Sequence, residues 1–203
     1  MDSIFHYASP LGGMTMASDG EALTGLWFDG QRFFGETLSA EYKEEALPIF
    51  RETVRWLEDY FSGRIPDFTP ALRTRGTAFR KTVWETLLLI PYGRTATYGE
   101  IAERIAEQTG RMHLSAQAVG GAVGHNAISL IIPCHRVLGA DGSLTGYAGG
   151  TDKKALLLQL EREHSNTDTA PFSSFHGPGS VPVESFSFRS TRSASLPERK
   201  RGE

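Results

Sequence analysis

A single cysteine, Cys134, stands in a chain of 203 residues. One thiol excludes an internal disulfide, a thioredoxin-type Cys-x-x-Cys pair and every zinc site built from several cysteines. The chain therefore cannot be a small secreted scaffold held by disulfides, and a reducing, cytoplasmic compartment is favoured. Stability has to come from a hydrophobic core, and at 39% hydrophobic residues the composition is that of an ordinary globular protein.

The charge of the chain is low and unevenly distributed. The formal net charge is -3, which argues against a general polyanion binder. Residues 1–75 carry 12 acidic and 7 basic side chains, whereas residues 76–164 carry 8 and 9. If any part of the chain contacts nucleic acid, the middle segment is the better candidate.

The apolar stretches are far shorter than the roughly 20 residues of a membrane span, and Asp2 and His6 interrupt any signal sequence.

Short runs of β-forming residues dominate the first third of the chain. These runs are residues 4–8, 14–17 and 22–28. Asp19-Gly20 lies between the second run and the third, which is a strong hairpin signal. Apolar residues at helical spacing predict a helix over 48–62. We expect a small N-terminal α+β domain over 1–75, with no chemistry of its own, and a linker from Gly63 towards residue 76.

The middle third predicts two short helices in succession. A helix from Phe79 to Ile90 is ended by Pro91, and Thr97 with Glu100 forms a capping box that opens the next helix. Gly110 ends that helix, and we expect a second one over 116–123 with Ser115 as its N-cap. Two helices joined by a glycine-containing turn are typical of a helix-turn-helix. The pattern alone leaves DNA binding and simple helix packing both open.

The second of these helices contains Gly120 and Gly121, which each cost roughly 1 kcal/mol relative to alanine. Small residues allow close approach either by another part of the protein or by a nucleic-acid strand. The residues alone do not choose between these two explanations.

The cysteine follows an apolar run, residues 128–132, which predicts a buried strand with Cys134 at its exit. His135 and Arg136 adjoin the thiol, and positive charge nearby is expected to lower its pKa. Neighbouring residues on a strand point to opposite faces, so a contact between Cys134 and His135 would need a bridging water or a sharp bend. His135 would in turn need an acid to orient it, which spacing alone does not identify.

The last segment, residues 165–203, differs from the rest. It holds nine serines and four prolines, with Leu196 as its only leucine and no isoleucine, so it cannot easily bury a core. We predict a disordered tail. A helix rich in leucine is predicted just before it, over 153–163.

Taken together, the motifs around the cysteine resemble those of the DNA repair alkyltransferases, the methylated-DNA–protein-cysteine methyltransferases that act on 6-O-alkylguanine. The resemblance covers residues 76–163 and is carried by six segments: Ile90–Gly93, Thr97–Glu100, Ala118–Ala122, Pro133–Val137, Gly146–Gly150 and the terminal helix Leu156–Glu161. It implies an α+β fold, with a small N-terminal hairpin and helix domain followed by a helix-turn-helix domain that accepts the alkyl group.

The resemblance also implies a role for each site residue. Cys134 would accept the alkyl group in a single-turnover reaction, His135 would act as a base through a water, and Glu161 would orient the imidazole. Tyr98 would bind the flipped base, and Asn126 would stabilise the turn at the cysteine. The guanine pocket would be lined by Val137, Tyr147 and Ala148. The helix pressed against DNA would carry Gly120 and Gly121. Arg136 would brace the fold.

One position departs from the family pattern. The family has an arginine before Ala-Val-Gly, inserted where the flipped base leaves the stack, and this chain has Gln117. We therefore expect weaker DNA binding or slower flipping.

The implied partner is double-stranded DNA containing alkylated guanine, with 4-O-alkylthymine as a further substrate. No metal, cofactor or membrane is implied. We expect a cytoplasmic, nucleoid-associated monomer, which would be nuclear in a eukaryote.

Three other functions fit the sequence less well. A non-catalytic sensor of alkylated DNA would lack the acceptor cysteine, which is present here. A thiol hydrolase would need an oxyanion motif, and none is evident. A helix-turn-helix regulator of this family would carry an additional domain with metal-binding cysteines, which a single cysteine excludes.

Overall fold

The computed structural model describes residues 1–110 and 112–165. It contains an N-terminal sheet with one helix and a C-terminal helical region, in agreement with the predicted α+β class. The predicted disordered tail lies outside the described residues, apart from Ser165. Among the described residues, no helix has the length and apolar character needed to cross a membrane.

The N-terminal half is built around a four-stranded sheet. The strands are β1 (Asp2–Ser9), β2 (Gly12–Ser18), β3 (Leu23–Phe28) and β4 (Tyr42–Glu44), in the spatial order β3-β2-β1-β4. The first three pair antiparallel and β4 pairs parallel to β1, with Asp2 opposite Tyr42. The three predicted strands are confirmed. Strand β4 was not predicted, because its three exposed residues carry no apolar pattern.

Helix α1 (Pro48–Phe61) covers this sheet. Pro48 stands in the first turn, where a missing N–H is not needed. The helix buries one face, which includes Phe50, Leu57 and Tyr60, and so confirms the prediction from apolar spacing. Tyr60 on this face becomes important at the functional site.

The C-terminal half contains four helices. They are α2 (Ala78–Leu87), α3 (Tyr98–Thr109), α4 (Ala116–Gly124) and α5 (Thr151–His164). The predicted capping box between Thr97 and Glu100 is present, and Gly110 ends α3 at φ 66°. Ser115 caps α4 as predicted. Helix α2 ends earlier than expected, and Ile90 lies in the turn that follows it.

The predicted strand over 128–132 is wrong. The segment is a buried, tightly turned coil in which the Ile132 amide donates to the Ile128 carbonyl at 3.1 Å. Leu130 adopts a left-handed conformation at φ 68°, which breaks any extended run. The apolar residues of this segment correctly indicated that it is buried, but burial does not determine the backbone conformation. Cys134 accordingly begins a single 3-10 turn, Cys134–Arg136, rather than leaving a strand.

The two halves share one hydrophobic core. One cluster of buried side chains includes Met16 and Leu57 from the N-terminal half and Trp84, Val119 and Leu157 from the C-terminal half. After the cysteine turn, a short strand β6 (Val137–Leu138) pairs parallel with β5 (Ala96–Thr97). This pairing holds the turn against the beginning of α3.

Candidate active site

Cys134 is buried, with 4% of its surface exposed. The side-chain amide nitrogen of Asn126 donates a hydrogen bond to its sulfur at 3.0 Å and to the Ile132 carbonyl at 2.8 Å. The Asn126 oxygen accepts from the Ile128 amide at 3.0 Å. Asn126 therefore holds both ends of the coil that leads to the cysteine, as expected of a residue that stabilises this turn.

The expected lowering of the thiol pKa is wrong. Burial raises the pKa of Cys134 to about 11, and the Asn126 hydrogen bond and the Lys154 charge offset only part of this effect. The Arg136 guanidinium is engaged by Glu161 instead. At pH 7 the thiol is therefore protonated. Any nucleophilic use of this sulfur therefore needs a base.

His135 is placed to be that base. It is fully buried, and its Nε2 lies 2.7 Å from Oε1 of Glu161. Because a carboxylate only accepts hydrogen bonds, this contact assigns the imidazole proton to Nε2. The other nitrogen, Nδ1, has no hydrogen-bond partner among the described residues. Burial lowers the pKa of His135, which keeps the ring neutral and able to take a proton.

Glu161, on α5, is the acid that the sequence spacing could not identify. Its side chain is fully buried and receives hydrogen bonds from His135, from the Arg136 guanidinium and from the Gly93 amide. Burial alone would raise the pKa of Glu161, but His135 and Arg136 outweigh burial and hold that pKa well below its usual range. The carboxylate therefore stays ionised beside the imidazole.

Arg136 faces this carboxylate rather than solvent. Its Nε donates to Oε2 of Glu161 at 2.9 Å, and its Nη1 donates to the Ile90 carbonyl at 2.6 Å. The side chain ties α5 to the turn after α2. These contacts join two elements of the fold, and a bracing role for Arg136 stays a prediction.

Two residues at the site were missed by the sequence analysis. Lys154 is fully buried on α5, and its ammonium group donates to the Val137 carbonyl and, at 2.7 Å, to the Thr145 carbonyl. Burial lowers the pKa of Lys154 to about 8. Tyr60 of α1 donates to Glu161 at 2.8 Å. Neither residue could be found from the sequence, because their partners are distant in the chain and no motif surrounds them.

The predicted pocket residues gather around this cluster. The Tyr98 hydroxyl donates to the Thr145 carbonyl at 2.9 Å, which is the same carbonyl that Lys154 contacts. Val137 is buried in β6. The Tyr147 ring is buried, and its centroid lies 6.4 Å from that of His135.

A cleft of about 330 Å³ opens beside these residues. Four predicted residues line it: Gly120, Gly121, Tyr147 and Ala148. Gly124 and Gly146 also line it, as do Arg32, Phe33 and His125, three residues that the sequence did not single out. Cys134 and Gln117 are not among the lining residues, and Gln117 is exposed in the first turn of α4.

Gly120 and Gly121 of α4 are not required by packing within the described chain. A Cβ atom built on Gly121 would meet no described atom within 4 Å, and one on Gly120 would lie 3.8 Å from the Tyr98 ring, an ordinary contact. Close packing of another element therefore does not explain these glycines. Among the described residues, nothing packs closely over this surface.

Comparison with known families identifies the architecture. Residues 6–74 match the ribonuclease-like domain of 6-O-methylguanine DNA methyltransferase, and residues 78–163 match the DNA-binding domain of the same family. The chain belongs to the 6-O-methylguanine DNA methyltransferase family. The resemblance drawn from the cysteine motifs is thereby confirmed, and it extends to the N-terminal half.

Individual members of this family are similar over most of the chain. The methylated-DNA–protein-cysteine methyltransferase of Haemophilus influenzae is 42% identical over 158 residues, covering 77% of this chain and 84% of the relative. The crystal structure of Mycobacterium tuberculosis OGT in complex with DNA is 41% identical, with a TM-score of 0.70, and covers 80% of this chain and 94% of that one. The enzyme class is that of the methylated-DNA–protein-cysteine methyltransferases.

A more distant relative has the same fold. The 6-O-methylguanine DNA methyltransferase of Methanococcus jannaschii is 26% identical, with a TM-score of 0.55, and covers 85% of this chain and all of that one. The family fold therefore spans both halves of the chain.

Proposed function

We propose that this protein repairs DNA directly, by moving the alkyl group of a 6-O-alkylguanine onto the sulfur of Cys134. One observation carries this proposal: the buried sulfur is followed by a neutral His135 whose Nε2 is bound to Glu161 and whose Nδ1 is free. The homologous methyltransferases over most of the chain support the same reaction.

The chemistry balances without a cofactor. The thiol proton passes to Nδ1 of His135, directly or through one water, and Glu161 stabilises the imidazolium that forms. The thiolate attacks the alkyl carbon in line, so that a sulfur–carbon bond forms as the carbon–oxygen bond to guanine breaks. Guanine leaves with the electron pair and takes up a proton, with the Tyr98 hydroxyl as the proposed donor to the departing base. The thioether has no route back to a thiol, so each chain reacts once.

The damaged base must leave the duplex to reach a buried thiol, at a cost of a few kcal/mol. The exposed surface at Gly120 and Gly121, next to the cleft, is where we propose that the DNA strand lies. The DNA complex of the Mycobacterium tuberculosis relative supports binding of this kind. Val137, Tyr147 and Ala148 would form the guanine pocket, and Gln117 would occupy the space that the base leaves.

The test is an incubation of the protein with a duplex that carries one 6-O-methylguanine, followed by intact mass and peptide mapping. We expect one methyl group on Cys134 per chain and no further turnover. Cys134→Ser should bind the duplex without reacting. A protein that binds the lesion but remains unmodified would instead be a sensor, and the proposal would be wrong.

Two extensions of the proposal can be tested in the same assay. A duplex with 4-O-methylthymine in place of the guanine lesion tests whether the pocket also accepts the smaller base. Light scattering of the free and DNA-bound protein tests the expected monomer. Methylation of Cys134 by only one of the two duplexes would define the substrate range.

A further inference from the structure

Tyr60 brings the N-terminal half of the protein into the reactive cluster. It lies on α1, 75 residues before His135 and 101 residues before Glu161. Its hydroxyl donates to Oε1 of Glu161 at 2.8 Å, and its oxygen lies 3.3 Å from Nε2 of His135. Oε1 is the same carboxylate oxygen that His135 contacts at 2.7 Å. The phenol and the imidazole therefore share one acceptor atom.

The surroundings hold this hydroxyl in place. Tyr60 is fully buried and stacks on Trp56, with ring centroids 5.4 Å apart and an interplanar angle of 8°. It also meets the edges of Tyr92 and His135, at 5.9 Å and 6.3 Å. A ring packed on these sides cannot turn its hydroxyl away from the carboxylate without disturbing the core.

The hydrogen bond to Glu161 has a consequence for the imidazole. A carboxylate that accepts a hydrogen bond from a phenol has part of its negative charge neutralised. It therefore attracts the protons of its other donors less strongly. The pull of Glu161 on a second imidazole proton is therefore weaker than it would be without Tyr60. Burial and the neighbouring Arg136 and Lys154 charges act in the same direction on the pKa of His135, and Glu161 acts against them.

We propose that Tyr60 is a positioning residue for alkyl transfer, one that keeps His135 neutral and its free nitrogen available to the thiol by sharing the carboxylate of Glu161. The role rests on the proposed function, since it acts through His135 and not on the substrate. It also assigns a task to the N-terminal half, which would supply a hydroxyl to the catalytic half of the same chain.

Several groups besides Tyr60 surround His135. Glu161 raises the pKa of His135, whereas Arg136 and Lys154 lower it. The Tyr147 ring lies edge-on to the imidazole, and Cys134 adjoins it in the 3-10 turn. Among the side chains of the described residues, only Tyr60 and Arg136 donate to the carboxylate oxygen that His135 uses. Removing the Tyr60 hydroxyl should therefore change the pKa of the His135 imidazole without removing a charged group from the site.

Tyr60→Phe is the decisive variant, and Tyr92→Phe is its matched control. Both remove one buried hydroxyl from the same aromatic cluster, but the Tyr92 hydroxyl has no hydrogen-bond partner among the described residues. In Tyr60→Phe we expect the pKa of His135 to rise by about half a unit or more, because Glu161 then attracts the imidazole proton more strongly. Tyr92→Phe should leave it unchanged.

Two measurements follow from this expectation. The first is an NMR titration of the His135 imidazole nitrogens in both full-length variants, which does not depend on catalysis. The second is the rate of reaction with free 6-O-benzylguanine between pH 5 and pH 9. The acid limb of the Tyr60→Phe profile should move to higher pH, with a loss that approaches about threefold at the acid end and disappears towards pH 9. A merely structural role would lower the rate equally at every pH.

The outcomes separate the two proposals. A wild-type protein that does not react with DNA or with the free base contradicts the proposed function, and the NMR titration then decides the role of Tyr60 alone. A reactive wild type with identical titrations and identical pH profiles in Tyr60→Phe overturns the inference and leaves the proposed function intact. An equal shift in both variants also overturns it, because the effect would then belong to the cluster and not to the hydrogen bond.

Discussion

The Asn126 side chain donates a hydrogen bond to the sulfur of Cys134 at 3.0 Å. The same amide group spans the coil between Ile128 and Ile132, where it satisfies backbone groups that are buried away from water. The position of the thiol and the shape of the coil therefore depend on one side chain. An acceptor in place of that amide nitrogen would face the Ile132 carbonyl, which has no proton to offer.

We expect Asn126→Asp to be strongly destabilising, since it replaces the donor with a second acceptor of nearly the same shape. The free energy of unfolding should fall by about 2 to 4 kcal/mol. The carboxylate should also raise the pKa of the Cys134 thiol further and slow its reaction with iodoacetamide. Urea denaturation and the rate of thiol modification measure the two effects. Unchanged stability would show that the hydrogen bonds of Asn126 are replaced by water at little cost.

The buried ion pair between Asp2 and Arg75 should make the N-terminal sheet sensitive to acid. The guanidinium donates to both carboxylate oxygens, at 2.6 Å and 2.7 Å, and Ser39 donates to one of them at 2.8 Å. The Arg75 hydrogen bond lowers the pKa of Asp2 to about 2. Because the folded pKa lies below the unfolded value, the stabilisation is present above pH 4 and is lost as the pH falls towards 2.

This pair should contribute about 2 kcal/mol at pH 7. Asp2→Asn should lower the free energy of unfolding at pH 7 by at least that amount, and the difference from wild type should shrink as the pH approaches 2. Thermal unfolding between pH 2 and pH 7 provides the measurement. A difference that stays constant over this range would contradict the assigned pKa.

Gln117 should limit the reaction with duplex DNA but not with a free base. It is exposed on the first turn of α4, outside the lining of the cleft. Gln117→Arg adds a cation that can stack and can neutralise a phosphate, so the rate on a duplex with 6-O-methylguanine should rise several-fold. The rate on free 6-O-benzylguanine should not change. An equal increase in rate on both substrates would contradict the prediction that Gln117 limits only the reaction with duplex DNA.

Arg32 should supply part of the positive charge that Gln117 does not. Its guanidinium lies 4.6 Å from the centre of the Phe33 ring, at the wall of the cleft that also holds Gly120 and Gly121. Arg32→Ala should weaken DNA binding roughly threefold to tenfold and reduce the slope of log affinity against log salt by about one.

Arg55→Ala is the matched control for Arg32→Ala. Arg55 is also exposed and also stacks on an aromatic ring, that of Phe68 at 4.3 Å, but it lies on α1 and does not line the cleft. Fluorescence anisotropy with a labelled duplex at several salt concentrations compares the two. Equal losses in both variants would assign the effect to net charge alone.

The features that could be predicted from the sequence are local ones. The capping box at Thr97 and Glu100 involves residues three apart, so it can be recognised from the sequence alone. The hairpin signal at Asp19-Gly20 has the same character. Both were confirmed because no distant part of the chain is needed to form them.

The errors and omissions concern long-range packing. The coil over 128–132 was predicted as a strand because its apolar residues report burial without specifying a conformation, and only the full fold places Leu130 in a left-handed turn. The thiol pKa was expected to be low because His135 and Arg136 adjoin it, whereas Glu161, distant in sequence, takes up the Arg136 charge. The buried Lys154 and Tyr60 reach the site only through tertiary contacts.

The outer strand of the N-terminal sheet is hydrogen-bonded to the coil that leads to the cysteine. The Leu26 amide of β3 donates to the Ala127 carbonyl, and the Ser129 amide donates back to Leu26, each at 2.8 Å. The sheet edge that would otherwise be open to pairing with another chain is thus closed by the reactive half of the molecule. The two halves should consequently unfold in a single cooperative transition, with the same free energy of opening measured by hydrogen exchange at the amides of Leu26 and Ser129.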